Sequence, residues 1–245
     1  MRKRKKADEV PRTLLSGAPG LSIAGILFLV AFLSRPMDLS FGGENTGKGD
    51  ARTMTSLPKP PFSKTLSIEE ALEKRRSVRR FARRPLTEME ISRLLWAAQG
   101  VTGGGRGRTA PSAGGLYPLE VYLVIPEGVY RYHPPNQELR IHRKGDFLGQ
   151  LSEAALGQAS VRGAPAVIVI AAVYERVTGK YGKRGERYVI LEAGHAAQNI
   201  HLEAAALGLG SVPVGAFQDR SVHAVLGLHP DEEPLYLIPV GEPRP

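Results

Sequence analysis

Cysteine is absent from the 245 residues. That absence excludes disulfides, thiolate metal sites, a cysteine nucleophile and a lipid-modified N-terminal cysteine. Aromatic residues are sparse at 7%, with a single tryptophan, Trp96. No basic stripe interleaved with aromatics occurs, so a nucleic-acid surface is not expected. No G-x-G-x-x-G follows a strand pattern, which removes the dinucleotide signature. No internal repeat and no metal-ligand spacing are found. His195 and His201 lie six apart on one helix, which does not put them on one face.

What is present is an ordinary globular composition, 42% hydrophobic and 23% charged, in a chain long enough for one sizeable domain with appendages. The net charge is +9. Arg2, Lys3, Arg4, Lys5, Lys6 and Arg12 stand against Asp8 and Glu9, leaving +4 in the first twelve residues. An anionic lipid surface or an anionic cofactor accounts for that balance better than nucleic acid does.

Between Arg12 and Arg35 no charge occurs, and residues 21–33 are nearly all apolar. Twenty-two uncharged residues as a helix reach about 33 Å, against a hydrocarbon core of about 30 Å. The expected organisation is a basic cytoplasmic segment at 1–13, a transmembrane anchor or signal segment at 14–34, a Gly/Pro-rich linker at 35–62 and a folded domain at 63–245. Ser34, Arg35 and Pro36 form a poor cleavage site, which favours a single-pass anchor over a cleaved signal. Either way the basic cluster stays cytoplasmic and the domain lies outside the membrane. A third reading starts translation at Met37 or Met54.

In the folded part, Ser67 to Glu70 and Thr87 to Glu90 read as capping boxes that open two helices. Ile91, Leu94, Leu95 and Ala98 give the packed stripe of the second helix, with Leu86 and Ile91 as a staple. Gly100 ends it and a Gly/Arg-rich loop follows. Strands are expected at 119–125, 128–132, 138–142, 166–173 and 235–241, the second and third as a hairpin. Helices are expected at 147–158, 186–207 and 221–226. The longest carries a face of Val189, Ala193, Ala196, Ala197, Ile200, Ala204 and Leu207. This order implies an α+β or three-layer arrangement around a central mixed sheet.

Two stretches point to ligand chemistry. Arg75, Ser77 and Arg79 alternate in extended backbone, which puts two guanidinium forks and a hydroxyl on one side, suited to a phosphate. Their alternative reading is a solvated basic cap on the preceding helix end. Pro111, Ser112, Ala113 and Gly114 form a small-residue stretch that lets backbone approach a flat ligand, or else a plain surface turn.

These segments resemble the FMN-dependent nitroreductase family. The resemblance rests on Arg-Arg-Ser-Val-Arg-x-Phe at 75–81, Pro-Ser-Ala-Gly-Gly-Leu-Tyr-Pro at 111–118, Glu-Ala-Gly-His-Ala-Ala-Gln-Asn at 192–199, Leu-Gly-Leu-Gly-Ser at 207–211 and Pro-Val-Gly at 239–241. It covers about 67–243. The branch it looks most like is that of flavin dehydrogenases acting on thiazolines and oxazolines in peptides, with their stand-alone relatives.

The resemblance implies a domain-swapped homodimer with FMN at its interface. Arg75, Arg76, Ser77 and Arg79 would hold the phosphate, with Arg244 as a late basic residue near it. Pro111, Ser112, Ala113 and Gly114 would line the isoalloxazine, and Gly208, Leu209, Gly210 and Ser211 would close the other side. Lys180 and Tyr181 stand where the azole-forming branch keeps its acid/base pair; their alternative is a solvated turn. The implied activity is an FMN-dependent oxidoreductase acting on a small molecule or peptide. Azoline oxidation and a non-catalytic flavin-binding module are the alternatives.

Overall fold

The computed structural model describes residues 54–60 and 66–244. The basic segment 1–13, the apolar segment 14–34 and most of the linker lie outside the described residues. Among the described residues no helix is long and apolar enough to cross a membrane.

Both capping boxes form. The Ser67 hydroxyl accepts from the Glu70 amide while the Glu70 carboxylate accepts from the Ser67 amide, opening α1 (Ile68–Lys74). Thr87 and Glu90 do the same for α2 (Glu88–Gln99). Each box satisfies two amides that a helix start otherwise leaves unpaired. Leu86, Ile91, Leu94, Leu95 and Ala98 are buried together, as their spacing requires.

The strands are β1 (Met54–Ser56), β2 (Val101–Thr102), β3 (Gly107–Arg108), β4 (Leu119–Ile125), β5 (Gly128–His133), β6 (Glu138–Lys144), β7 (Ala166–Val173), β8 (Gly210–Ser211) and β9 (Glu232–Gly241). The later helices are α3 (Leu148–Ala154), α4 (Ala159–Gly163), α5 (Glu175–Tyr181), α6 (Arg184–Ala206) and α7 (Asp219–Leu226). Seven strands form the central sheet in the order β1-β6-β5-β4-β7-β9-β8. The loop expected at 101–109 contains the small β2–β3 pair. The expected linker gives up Met54–Ser56 to the sheet, as an edge strand on β6. Three residues are too few to show an alternating pattern in the sequence.

Apolar side chains pack on both faces of the sheet. Leu119, Val121 and Leu123 face one way, joined by Ile168 and Ile170, against α2 and α6. Tyr122, Val124, Val167 and Val169 face the other, against α3, α4 and α7. This is the three-layer α+β arrangement, and β7 is buried along its whole length.

The sheet corrects one expectation. It is not mixed: among the described residues every ladder in it is antiparallel, and parallel pairing is confined to the isolated bridge between Ser77 and Ser211. Short turns force β4, β5 and β6 to alternate in direction. For β7 the continuous apolar run signals burial on both faces, and a central antiparallel strand meets that condition as well as a parallel one.

Candidate active site

Helix α6 is the shared wall of two polar clusters. It packs against α1, α2 and α5, and its buried face is the small-residue stripe with two polar interruptions, Glu192 and His201. Nine positions separate them, about 13.5 Å along the axis.

Around His201 the arginine stretch meets the turn after α6. The Val78 amide donates to the Ser211 carbonyl, 3.0 Å, beside the Ser77–Ser211 bridge. Phe81 bridges Pro243, and the Arg244 amide donates to the Arg80 carbonyl. Segments 77–82, 210–211 and 242–244 therefore lie edge to edge. Gly210 is required there: a Cβ on it would sit 2.5 Å from the Val78 Cβ. A cavity of about 310 Å³ opens at this junction, lined by Arg75, Arg76, Val78, His201, Gly208 and Ser211, among others.

His201 is 5% exposed, and its Nδ1 lies 2.6 Å from the Ser211 hydroxyl. Its Nε2 is buried with no hydrogen-bond partner among the described residues. Burial, with the nearby Arg75 charge, pushes the imidazole down to about 4. The ring is therefore neutral near pH 7. When the Ser211 hydroxyl donates to Nδ1, Nε2 carries the proton and can donate to an oxyanion. An orphaned buried nitrogen beside Arg75 and Arg76 fits the phosphate of FMN.

Around Glu192 the second cluster forms. The loop 111–115 turns at Gly114 with φ +64, a left-handed conformation that favours glycine. A Cβ there would lie 2.8 Å from the Tyr181 Oη and 3.0 Å from the Lys180 Nζ. The two polar tips at the end of α5 thus flank the small-residue loop, and the Tyr181 ring meets Tyr188 edge-on. Gly114 and Gly115 project no side chain, and nothing lies within 4 Å of the Cβ position of Gly115, which leaves backbone open to a flat ring. The Ser112 hydroxyl accepts from the Tyr117 amide, 2.9 Å.

Glu192 is 2% exposed, and its Oε1 is without a hydrogen-bond partner among the described residues. Burial pushes its carboxyl up to about 7, against the opposing influence of Ser112, Arg108 and Gln99. Arg108 donates to the Gln99 Oε1, 2.9 Å, and lies over the Tyr117 ring. A buried carboxyl that titrates near neutrality behind the Ser112 loop can store a proton.

The expected site residues divide. Arg75, Arg76, Gly208, Leu209 and Ser211 line the first cavity, with Gly210 fixing its backbone. Ser77 and Arg79 are exposed and do not line it; Arg244 runs beside the arginine stretch with its side chain exposed. Pro111, Ser112, Ala113 and Gly114 form the second loop with Lys180 and Tyr181 against it. Asn199 donates to the Thr109 carbonyl, which pins the loop's start to α6. The sequence gives His201 no ligand role, because it shares no face with His195, and it gives Glu192 none. The available signal was a carboxylate inside an otherwise apolar stripe, between Val189 and Ala196. Among the described residues no group of His, Asp and Glu is arranged to hold a metal.

Comparison with known proteins agrees with this geometry. Residues 72–242 match the Nitroreductase family. A nitroreductase-like protein of Methanocaldococcus jannaschii is 45% identical over 187 residues, covering 74% of this chain and 93% of its own. The trifolitoxin operon protein TfxC of Rhizobium leguminosarum bv. trifolii is 28% identical over 212 residues, covering 77% of this chain and 59% of its own. A crystal structure of a nitroreductase-like protein from Ralstonia eutropha JMP134 superposes with a TM-score of 0.72 at 32% identity, covering 81% of this chain and 93% of that one. The NADPH:FMN oxidoreductase of Vibrio harveyi shares the fold, with a TM-score of 0.56 at 21% identity over 73% of this chain and 69% of its own. With the match running through both clusters and nearly every strand, the chain belongs to the nitroreductase family of oxidoreductases.

Proposed function

We propose that the protein is an FMN-dependent oxidoreductase working as a homodimer. The observation that carries this reading is the meeting of the arginine stretch with the 208–211 turn around the unpaired His201 nitrogen. Arg75, Arg76 and the His201 Nε2 hold the phosphate, and the loop 111–114 lines the ring. When bound, FMN supplies two-electron chemistry by taking or giving hydride at N5. The chain's own residues do the rest. Lys180 and Tyr181 give or accept the proton that accompanies the electron pair, and Glu192 stores it behind the loop. Ile68 and Leu72 on α1 and Ile190 and Leu191 on α6 are large apolar residues at least half exposed, the surface a second copy would cover. Residues 14–34 tether the domain to the membrane, on its outer side.

The test is purification of the full-length protein from membranes, followed by a flavin spectrum and a screen of NADH, NADPH and dithionite as reductants. The expected result is a yellow dimer whose flavin is lost on Arg75→Ala. A colourless protein that does not take up added FMN overturns the reading.

A second reading is azoline oxidation in a modified peptide. Two observations favour it: the Lys180–Tyr181 pair beside Gly114 and the likeness to a trifolitoxin operon protein. It requires turnover of an azoline peptide by the wild type and none by Lys180→Ala. Reduction by dithionite alone, with no turnover of any substrate, would identify a flavin-binding module.

A further inference from the structure

A third group of arginines lies outside the phosphate cavity and meets the Glu192 cluster only at Arg108. Its setting is a cavity of about 770 Å³ on the face of the sheet that carries α7, within the volume range of small-molecule sites. Arg108, Arg131, Arg140 and Arg176 line it, with His133 and a single carboxylate, Glu120.

The register makes this arrangement costly as it stands. Tyr122 of β4 faces Arg131 of β5, and Arg131 faces Arg140 of β6. Two arginines directly opposite on one face of antiparallel strands repel. Glu120 does not relieve both. Its oxygens are taken by Arg131, 2.8 Å, and by Arg176, 2.6 Å. Glu232, behind the wall, accepts from the Tyr122 hydroxyl and lies 3.5 Å from Arg131. Among the described residues the one carboxylate within ion-pair distance of Arg140 is Glu138, at 3.8 Å, beyond hydrogen-bonding distance.

The polar atoms show the same deficit. The Arg140 Nε and the His133 Nδ1 are buried without hydrogen-bond partners among the described residues. Burial and the two neighbouring arginines hold the His133 imidazole below its ordinary value, as a positive field would. Arg108 reaches no carboxylate within ion-pair distance among the described residues; it donates to Gln99 and stacks on Tyr117. Arginine forks match the paired oxygens of a carboxylate or phosphate.

We propose that this cavity is a second binding site, for a small anionic molecule whose carboxylate or phosphate bridges Arg131 and Arg140. Such a group would supply Arg140 with the close ion pair it lacks and offset its repulsion with Arg131. The site does not depend on the flavin reading, because none of its lining residues belongs to the phosphate cavity.

Isothermal titration of the purified full-length protein at low salt tests it, with inorganic pyrophosphate and citrate as separate probes. The expected result is one equivalent of either probe bound by the wild type. Arg140→Ala or Arg140→Met, the second keeping an aliphatic stem for packing, should weaken binding at least tenfold. His133→Ala should weaken it less, and Arg75→Ala not at all. The winning probe identifies the phosphate or carboxylate source. Failure of both probes to bind at millimolar concentration overturns the proposal. So does binding lost with Arg75→Ala and kept in the Arg140 variants, which would assign the anion to the phosphate cavity.

Discussion

Glu192 and His201 lie on the same helix, in clusters of opposite purpose, and burial drives both toward their neutral forms. The carboxyl is raised to about 7 and the imidazole lowered to about 4. Their effects on stability have opposite signs. For Glu192 the folded protein holds the proton more tightly than the unfolded chain, whose carboxyl titrates at 4.5. Stability therefore falls as pH rises from 4.5 towards 7. For His201 the unfolded chain, titrating at 6.5, holds the proton more tightly. Stability therefore rises as pH goes from 4 towards 6.5. The windows overlap from 4.5 to 6.5, so the two dependences are expected to offset each other in the wild type. The two burials thus act on stability in opposite senses over the same pH range.

The sharpest way to separate the two sides is Lys180→Ala. It should lower turnover by about 10²–10⁴-fold, the usual range for a lost acid or base, while flavin absorbance stays. Removing one member of the balanced pair comes next. In cofactor-free protein, Glu192→Gln should expose a rise in the urea midpoint from pH 4 to 6.5. His201→Asn should expose a fall from 4.5 to 7. Each slope integrates to at most about 3 kcal/mol. Equal, flat profiles in both variants would sink the comparison. Gly210→Ala strikes the phosphate side alone. Its new methyl drives into Val78, which should cost about 1–3 kcal/mol in thermal denaturation and weaken flavin retention. The smallest effect is Ser67→Ala. It removes the α1 cap that leads into Arg75, worth about 1 kcal/mol, and should leave the ring side untouched.

Much of this was legible in the sequence, for identifiable reasons. Capping boxes act within four residues, so α1 and α2 could be placed from Ser67 and Thr87. The stripe Val189 to Ala204 is long enough for its period to fix the buried face of α6. Strand direction was not legible, because an all-apolar strand such as β7 looks the same in either sense. The short β1 and α5 carry too little pattern to stand out. At the site, glycines and arginines marked the loops that must approach a ligand. The arginine-lined cavity escaped because it depends on which residues face each other across β5 and β6. That is a property of register, and nothing local to Arg131 or Arg140 announces it.

The seating of β1 has its own consequence. It occupies one margin of the seven-strand sheet and β8, with Ser211, the other. Six strand intervals separate them, about 29 Å across the sheet. The polypeptide thus joins the sheet at the margin remote from the strand that borders the phosphate cavity. A bulky fusion partner placed ahead of Met54 should therefore leave flavin loading unhindered, whereas one appended after Arg244 would crowd the arginine stretch directly.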